Sequence, residues 1–120
     1  MLRGCRILIV DDEPIISMAL GYAITDAQGE VVGPASNVKS ALALATTQEI
    51  TAAIMDVNLP DGIISPVVEY LVPRHVPIIL LTGVGIPEEL SARFPSLVVF
   101  IKPANSDLVL AKLASLIGNL

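Results

Sequence analysis

The sequence predicts an α/β fold in which a doubly wound parallel sheet of five strands is covered by helices on both faces. Short apolar runs alternate with longer helical patterns along all 120 residues, and one parallel strand can follow another only through a crossover of this kind. In addition, 53% of the residues are hydrophobic but only 3% are aromatic. An aliphatic core of this kind suits strands that are buried on both faces.

The predicted strands are short apolar runs that end at polar or turn-forming residues. They are predicted over Cys5–Val10, Glu30–Pro34, Ala52–Met55, Pro77–Leu81 and Val98–Ile101. Because the sequence contains no internal repeat, low-complexity tract or linker between these elements, we expect a single domain over residues 1–120.

Most of the predicted helices have a local start or stop signal. Pro14 suits a first helical position, Gly29 suits the stop of the same helix, and Asn37 suits the N-cap of the next. The helices are predicted from Glu13 to about Gln28, from Asn37 to about Gln48, over Ile64–Val72 and Pro87–Phe94, and over Ser106–Ile117. Turn residues predict a loop before the third helix, with Asp61 as an ordinary turn acid.

Composition excludes several classes of partner. Twelve acidic and seven basic residues give a net charge of −5, and the basic residues form no cluster in the sequence, so binding to nucleic acid or to an anionic membrane is not expected. Asp, Pro or Gly interrupts every apolar run, so we expect neither a leader peptide nor a membrane span, and a cytoplasmic location. The single Cys5 is expected to pack in the core, in a reducing compartment.

Polar residues follow four of the predicted strands. Asp11 and Asp12 follow the first, Asp56 the third, Thr82 the fourth and Lys102 the fifth. The C-terminal ends of parallel strands form the crevice where open α/β sheets bind ligands. Because clustered carboxylates repel one another, we expect this site to bind a cation.

A site with only a few protein ligands, all of them oxygens, favours Mg²⁺, which keeps several of its waters. Asp11, Asp12 and Asp56 offer carboxylate oxygens, and Asn58 can add its backbone carbonyl. A carboxylate beside Mg²⁺ can act as a nucleophile toward a phosphoryl group. Such a transfer depends mostly on positioning and charge neutralisation, which Mg²⁺, Lys102 and the Thr82 hydroxyl could together supply. Asp56 is the expected acceptor because it stands alone on a central strand.

Together, these motifs resemble the receiver domains of two-component response regulators. The matching segments are Asp11-Asp12-Glu13, Asp56 with Asn58 and Pro60, Thr82-Gly83, and Lys102-Pro103. The resemblance implies a flavodoxin-like (βα)5 fold with strand order 2-1-3-4-5 and a cis Lys102–Pro103 bond.

The resemblance also implies a role for each site residue. Asp56 would be the phosphoacceptor, Asp12 a direct Mg²⁺ ligand, Asp11 a ligand mainly through water, and Asn58 a ligand through its carbonyl. Thr82 would bond a phosphoryl oxygen, and Lys102 would bridge to it. The implied phosphoryl donor is a sensor histidine kinase or a phosphotransfer protein.

Three features depart from the common receiver pattern. Val99 stands where receivers usually carry Tyr or Phe, and strand alternation points Phe100 to the opposite face. The loop after Asp56 reaches Gly62 early, and Thr82 is followed by Gly-Val-Gly. These features resemble stand-alone receivers whose fourth strand ends Phe-Ala-Thr-Gly, although Leu80-Leu81 stands here in place of Phe-Ala. We therefore expect signal transmission through loop 83–87 without an aromatic ring.

Three functions are compatible with these motifs. The preferred one is a single-domain response regulator that signals by protein contact or acts as a phosphate sink. The alternative is a receiver cut from a longer regulator with a C-terminal output domain. A Mg²⁺-dependent phosphohydrolase is disfavoured because Asn58 occupies the place of the second acid that such enzymes need.

Some residues also have purely structural interpretations. Asp11-Asp12 alone would be a helix N-cap, and His75 is expected to be an exposed loop residue. The apolar residues of the first helix exceed one buried stripe and indicate either core packing or a contact site, such as that of a possible homodimer. They are Ile15, Ile16, Met18, Ala19, Leu20, Tyr22 and Ile24.

Overall fold

The computed structural model describes residues 1–118, so the last two residues of the predicted domain lie outside the described residues. Its main sheet contains β1 (Arg6–Val10), β2 (Glu30–Ala35), β3 (Ala52–Asp56), β4 (Ile78–Thr82) and β5 (Val98–Ile101). The helices are α1 (Pro14–Asp26), α2 (Val38–Thr47), α3 (Ser65–Leu71), α4 (Glu88–Arg93) and α5 (Ser106–Gly118). Within this sheet all strand pairs are parallel and the strand order is β2-β1-β3-β4-β5, which confirms the predicted fold and strand order.

The core consists of two apolar layers, one on each face of the sheet. Along β1, Ile7 and Ile9 pack toward α1 and α5, whereas Leu8 and Val10 pack toward α2, α3 and α4. This alternation follows from the two-residue period of a strand. Both faces are covered, which explains why the strands are continuous apolar runs.

The end of α1 differs from the prediction at Gly29. The residue with a left-handed backbone is Gln28, with a φ of 70°. A Cβ atom on Gly29 would lie 2.9 Å from Cγ2 of Ile24 and 3.1 Å from Cβ of Leu2. Gly29 is therefore needed because a side chain would not fit between α1 and the N-terminal segment. Its backbone does not provide the left-handed turn that ends the helix.

The loop predicted after β3 contains regular structure. Asn58–Leu59 and Gly62–Ile63 pair as a short antiparallel hairpin, which the turn residues did not reveal. The third helix is also shorter than predicted and continues as a 3-10 turn over Val72–Arg74. Pro73 explains this change, because it has no N–H group to extend the α-helical hydrogen bonds.

The edge strand β2 continues one residue beyond the predicted end at Pro34, with a break in register opposite Leu8 and Val10. Proline is tolerated at such a place because an edge strand does not need every ladder hydrogen bond. Cis peptide bonds occur at Gly33–Pro34 and at the expected Lys102–Pro103. Across residues 1–118, the structure contains no helix with the length and apolarity that a membrane crossing requires.

Candidate phosphoacceptor and metal site

Backbone hydrogen bonds between neighbouring strands hold the site residues at one edge of the sheet. The Asp11 N–H donates to the carbonyl of Ala35 at 2.9 Å. The Lys102 N–H donates to the carbonyl of Thr82 at 2.8 Å. Asp56 is the last residue of β3 and lies opposite Leu81 of β4. The positions of these side chains are therefore fixed by the sheet itself.

The three predicted acids form a cluster, and two of them contact Lys102. Carboxylate oxygens of Asp11, Asp12 and Asp56 lie within 4.8 Å of one another. Lys102 Nζ lies 3.1 Å from Oδ2 of Asp11 and 3.2 Å from Oδ2 of Asp56. Asp11 and Asp56 are buried and Asp12 is exposed, so the cluster is reached from solvent on the Asp12 side.

The sequence motif contained a further acid that was not predicted as a site residue. Glu13 Oε1 lies 3.4 Å from Lys102 Nζ, and the Glu13 N–H donates to Oδ1 of Asp11 at 2.9 Å. The signal for it was its place directly after the acidic pair. Three carboxylates therefore contact one ammonium group, with Asp12 beside them, and the site keeps an excess of negative charge.

Burial and charge shift the protonation of both central groups. Burial raises the pKa of the Asp56 carboxyl and Asp11 adds to the rise, although the hydrogen bond from Lys102 opposes it. Burial disfavours the charged form of Lys102, but the contacts with Asp11 and Asp56 outweigh burial and its pKa lies above the usual range. Lys102 therefore stays a cation, and an additional cation would favour ionised Asp56.

The residues present fit a Mg²⁺ ion. Oδ2 of Asp11 is buried, and it lies 3.1 Å from Lys102 Nζ. The nearby donor atoms of Asp11, Asp12 and Asp56 are all carboxylate oxygens, which suit a hard cation with an incomplete set of protein ligands. A carboxylate oxygen can accept more than one hydrogen bond, so a metal-bound water could donate to Oδ2 of Asp11 beside its contact with Lys102.

Asn58 lies beside the cluster through its backbone. Its N–H donates to Oδ1 of Asp56 at 3.4 Å, and its side chain is exposed at the start of the hairpin. The structure therefore ties the Asn58 backbone to Asp56 through its N–H, and the role of its carbonyl as a Mg²⁺ ligand stays a prediction.

Thr82 joins the site in a different way from the other predicted residues. Its side chain is fully buried, and its hydroxyl donates to the carbonyl of Gly85 at 2.6 Å. The Val84 N–H donates to the same hydroxyl at 3.3 Å. The hydroxyl is thus bonded to the loop that follows β4. From the sequence, Gly83 and Gly85 predicted only that this loop is flexible, not that it contacts Thr82.

The structure also places His75 and the apolar residues of α1, for which the sequence suggested structural roles. His75 is exposed and lies just before β4 begins, at the opposite end of that strand from Thr82. On α1, Leu20 and Ile24 are buried, whereas Ile15, Met18 and Tyr22 are 81%, 55% and 67% exposed. The surplus apolar surface of α1 is therefore not used by the core.

Comparison with known proteins agrees with this geometry. The family model of the response regulator receiver domain matches residues 7–94. A protein-glutamate methylesterase/protein-glutamine glutaminase of Methanospirillum hungatei is 35% identical over 82% of this chain and 30% of its own length. Transcriptional regulatory protein PdtaR of Mycobacterium tuberculosis is 36% identical over 65% of this chain and 38% of its own. The chain thus spans about a third of the length of the curated relatives that it matches.

Solved structures show the same fold. The solution structure of SdrG from Sphingomonas melonis has 38% identity and a TM-score of 0.76, covering 93% of this chain and 95% of that one. A CheY-like receiver domain from Methanospirillum hungatei has 24% identity and a TM-score of 0.85, covering 99% and 96%. Receiver domains are signalling domains that bind Mg²⁺ at an acidic pocket. With this sheet order, this acidic cluster and a family match over most of its length, the chain belongs to the response regulator receiver domain family.

Proposed function

We propose that this chain is a single-domain response regulator that accepts a phosphoryl group at Asp56 with the help of Mg²⁺. The observation that carries the proposal is the contact of Lys102 Nζ with Oδ2 of Asp56 at 3.2 Å, inside a cluster of three aspartates. A cation fixed beside the acceptor neutralises charge that develops on a transferring phosphoryl group.

In the proposed reaction, a carboxylate oxygen of Asp56 attacks the phosphorus of a phosphohistidine. The new O–P bond forms as the P–N bond breaks, and the leaving imidazole takes a proton from solvent. Bound Mg²⁺ would neutralise charge on the phosphoryl oxygens, held by Asp12 directly, by Asp11 through water and by the carbonyl of Asn58. Lys102 would stay close to Asp56 and bridge to the phosphoryl group.

The hydroxyl of Thr82 is the proposed origin of the conformational response. In the unmodified protein it is bonded to Gly85, so bonding to a phosphoryl oxygen requires it to release that carbonyl. Gly85 has a φ of 94° and lies next to exposed Val84, and such a loop can change conformation readily. Taking a switch from mostly off to mostly on requires a differential of about 5.5 kcal/mol, and charge-assisted bonds contribute about 1.5–3 kcal/mol each.

Val99 and Phe100 support a response that does not depend on an aromatic ring. Val99 packs on the face that faces α4, and Phe100 packs on the opposite face, toward α1 and α5. The ring of Phe100 therefore does not replace the aromatic ring that is missing at Val99.

Receiver domains in general are phosphorylated by histidine kinases or phosphotransfer proteins, and we propose such a donor for this chain. The output would be contact with another protein or storage of phosphate, in the cytoplasm. The exposed residues Ile15, Met18 and Tyr22 of α1 would form the contact in a homodimer, if the protein dimerises.

A second candidate is a receiver domain that belongs to a longer regulator. It is favoured by the curated relatives, whose lengths this chain covers only to 30% and 38%. The reading frame around the coding sequence distinguishes the two candidates, because only the second continues into an output domain.

Phosphorylation by acetyl phosphate tests the proposed chemistry without a partner protein. The chain should take up one phosphoryl group in the presence of Mg²⁺ and far less with a chelator, because Lys102 alone leaves the carboxylate cluster with excess negative charge. Equal uptake with and without Mg²⁺ would contradict the proposed role of the metal.

A further inference from the structure

The hairpin of residues 58–63 connects Asp56 to a distant helix. Asn58 donates its N–H to Asp56 and pairs with Ile63 across the hairpin. Leu59 pairs with Gly62, so only Pro60 and Asp61 form the connection at the tip. A two-residue connection leaves the tip little freedom to move independently of the two strands. Displacement of the tip would therefore be carried to Asn58.

The side chain of Asp61 holds this tip against α2. Its Oδ1 accepts from the N–H of Val38 at 2.7 Å, and its Oδ2 accepts from the N–H of Lys39 at 3.0 Å. The first N–H groups of a helix have no partner within the helix, and they favour a negative charge. In agreement with this, the two bonds hold the pKa of the Asp61 carboxyl below its usual range.

Capping of α2 does not by itself account for this arrangement. Asn37 already serves as the N-cap and accepts from the N–H of Ser40 at 2.7 Å. Asp61 comes from a different element, 23 residues from Val38. Within the hairpin, Leu59 is buried and its other residues are exposed. The base of the hairpin is held by buried Leu59 and by the Ile64 N–H, which donates to the carbonyl of Val57 at 3.0 Å, whereas the exposed tip is held against α2 by the two bonds of Asp61.

We propose that Asp61 is a positioning residue for the Mg²⁺ site. By bonding to α2 it would hold the hairpin, and with it the backbone of Asn58, in the position that Mg²⁺ binding needs. Asp61 does not touch the metal in this proposal and acts only through the hairpin. The inference rests on the proposed function, because it assumes that Mg²⁺ binds at Asp11, Asp12 and Asp56.

Calorimetric titration of the full chain with Mg²⁺ alone tests the inference. Asp61→Ala should bind Mg²⁺ about tenfold more weakly, the lower end of the effect seen when a group that supports a metal ligand is removed. Asp61→Asn loses the same charge but keeps one oxygen acceptor, so its affinity should lie between those of Asp61→Ala and the wild type. Asn37→Ala removes the other cap of α2 and should leave the affinity unchanged.

A measurement on the wild type covers the case in which Asp61→Ala does not fold. Addition of Mg²⁺ should shift the amide NMR signals of Val38 and Lys39, which lie on α2 but are bonded to Asp61, more than that of Ser40, which is bonded to Asn37. Equal shifts at these three amides, or none, would contradict coupling through the hairpin.

The outcomes separate this inference from the proposed function. A wild type that binds Mg²⁺ and an Asp61→Ala variant that binds it equally well would overturn only the role of Asp61. Equal weakening by Asp61→Ala and Asn37→Ala would also overturn it, because destabilisation of α2 would then be sufficient. A wild type that binds no Mg²⁺ would overturn both.

Discussion

The Thr82 hydroxyl donates a 2.6 Å hydrogen bond to the carbonyl of Gly85, three residues further along the chain. This bond joins the end of β4 to the loop that leads into α4. Because the hydroxyl is fully buried, it has few alternative partners in the unmodified protein. A phosphoryl group on Asp56 would compete with Gly85 for this hydroxyl, which couples the chemistry to the loop.

Thr82→Ala should still accept a phosphoryl group from acetyl phosphate but lose the conformational response. The acceptor, the acids and Lys102 all remain, whereas the link to Gly85 is gone. Amide NMR spectra with and without beryllofluoride should show shifts over Gly83–Glu88 in the wild type and much smaller shifts in the variant.

Val99→Tyr is the matched variant for this experiment, since it restores the aromatic residue of the common receiver pattern. The wild type should show the response without this ring, and the shifts over Gly83–Glu88 should be no larger in the variant than in the wild type. If the Gly83–Glu88 signals of the wild type stay in place while β5 signals move, transmission runs through the surroundings of Val99 and this account of the switch is wrong.

Mg²⁺ affinity should depend more on Asp12 than on Asp11. Asp11 already uses Oδ1 to accept from Glu13 and lies against Lys102 through Oδ2, whereas Asp12 is exposed toward solvent. Asp11→Ala should weaken binding about tenfold, as loss of a group that acts through water does, and Asp12→Ala should weaken it further. A Mg²⁺ titration that gives the reverse order would mean that direct and water-mediated ligation are assigned wrongly.

Asp56→Asn should raise the Tm of the metal-free protein near neutral pH. Burial raises the pKa of Asp56, so the folded state disfavours the ionised carboxylate, and this cost appears as the pH rises through the folded pKa. At a pH below the unfolded pKa the carboxyl is protonated in both states, and the gain from the variant should disappear.

Thermal melts at several pH values in the presence of a chelator check this expectation. Asp26→Asn, at an exposed position at the end of α1, is the control for the general loss of one negative charge. A lower Tm for Asp56→Asn near neutral pH would show that the contact with Lys102 outweighs the cost of burial.

If the protein dimerises, the contact should involve the exposed apolar residues of α1. Met18→Glu should then weaken the dimer, because it places a charge between Ile15 and Tyr22, while Ala43→Glu on the exposed side of α2 should not. Analytical ultracentrifugation with and without a phosphoryl analogue measures this. A wild type that stays monomeric at high concentration in both conditions would rule out the dimer.

The sequence predicted the sheet and the residues at its edge because both depend on local patterns. Apolar runs that end at Asp11, Asp56 and Lys102 mark the strands, and parallel strands bring those ends together. The N-cap role of Asn37 is confirmed for the same reason, since its bond to Ser40 spans three residues.

Contacts made by tertiary packing could not be predicted in this way. The bond of Asp61 to Val38 joins segments that have no pattern in common, so Asp61 was interpreted only as a turn acid. Gly29 shows the same difficulty, because a glycine that allows close packing and one that allows a left-handed turn are indistinguishable in a single sequence.

Intact-mass spectrometry after incubation with acetyl phosphate and Mg²⁺ is the most direct test of Asp56 as the phosphoacceptor. The wild type and the Asp26→Asn control should each gain the mass of one phosphoryl group. Asp56→Asn should gain none, because its amide cannot act as the nucleophile although Asp11, Asp12 and Lys102 remain. Phosphorylation of Asp56→Asn to the same extent as the wild type would contradict the central claim.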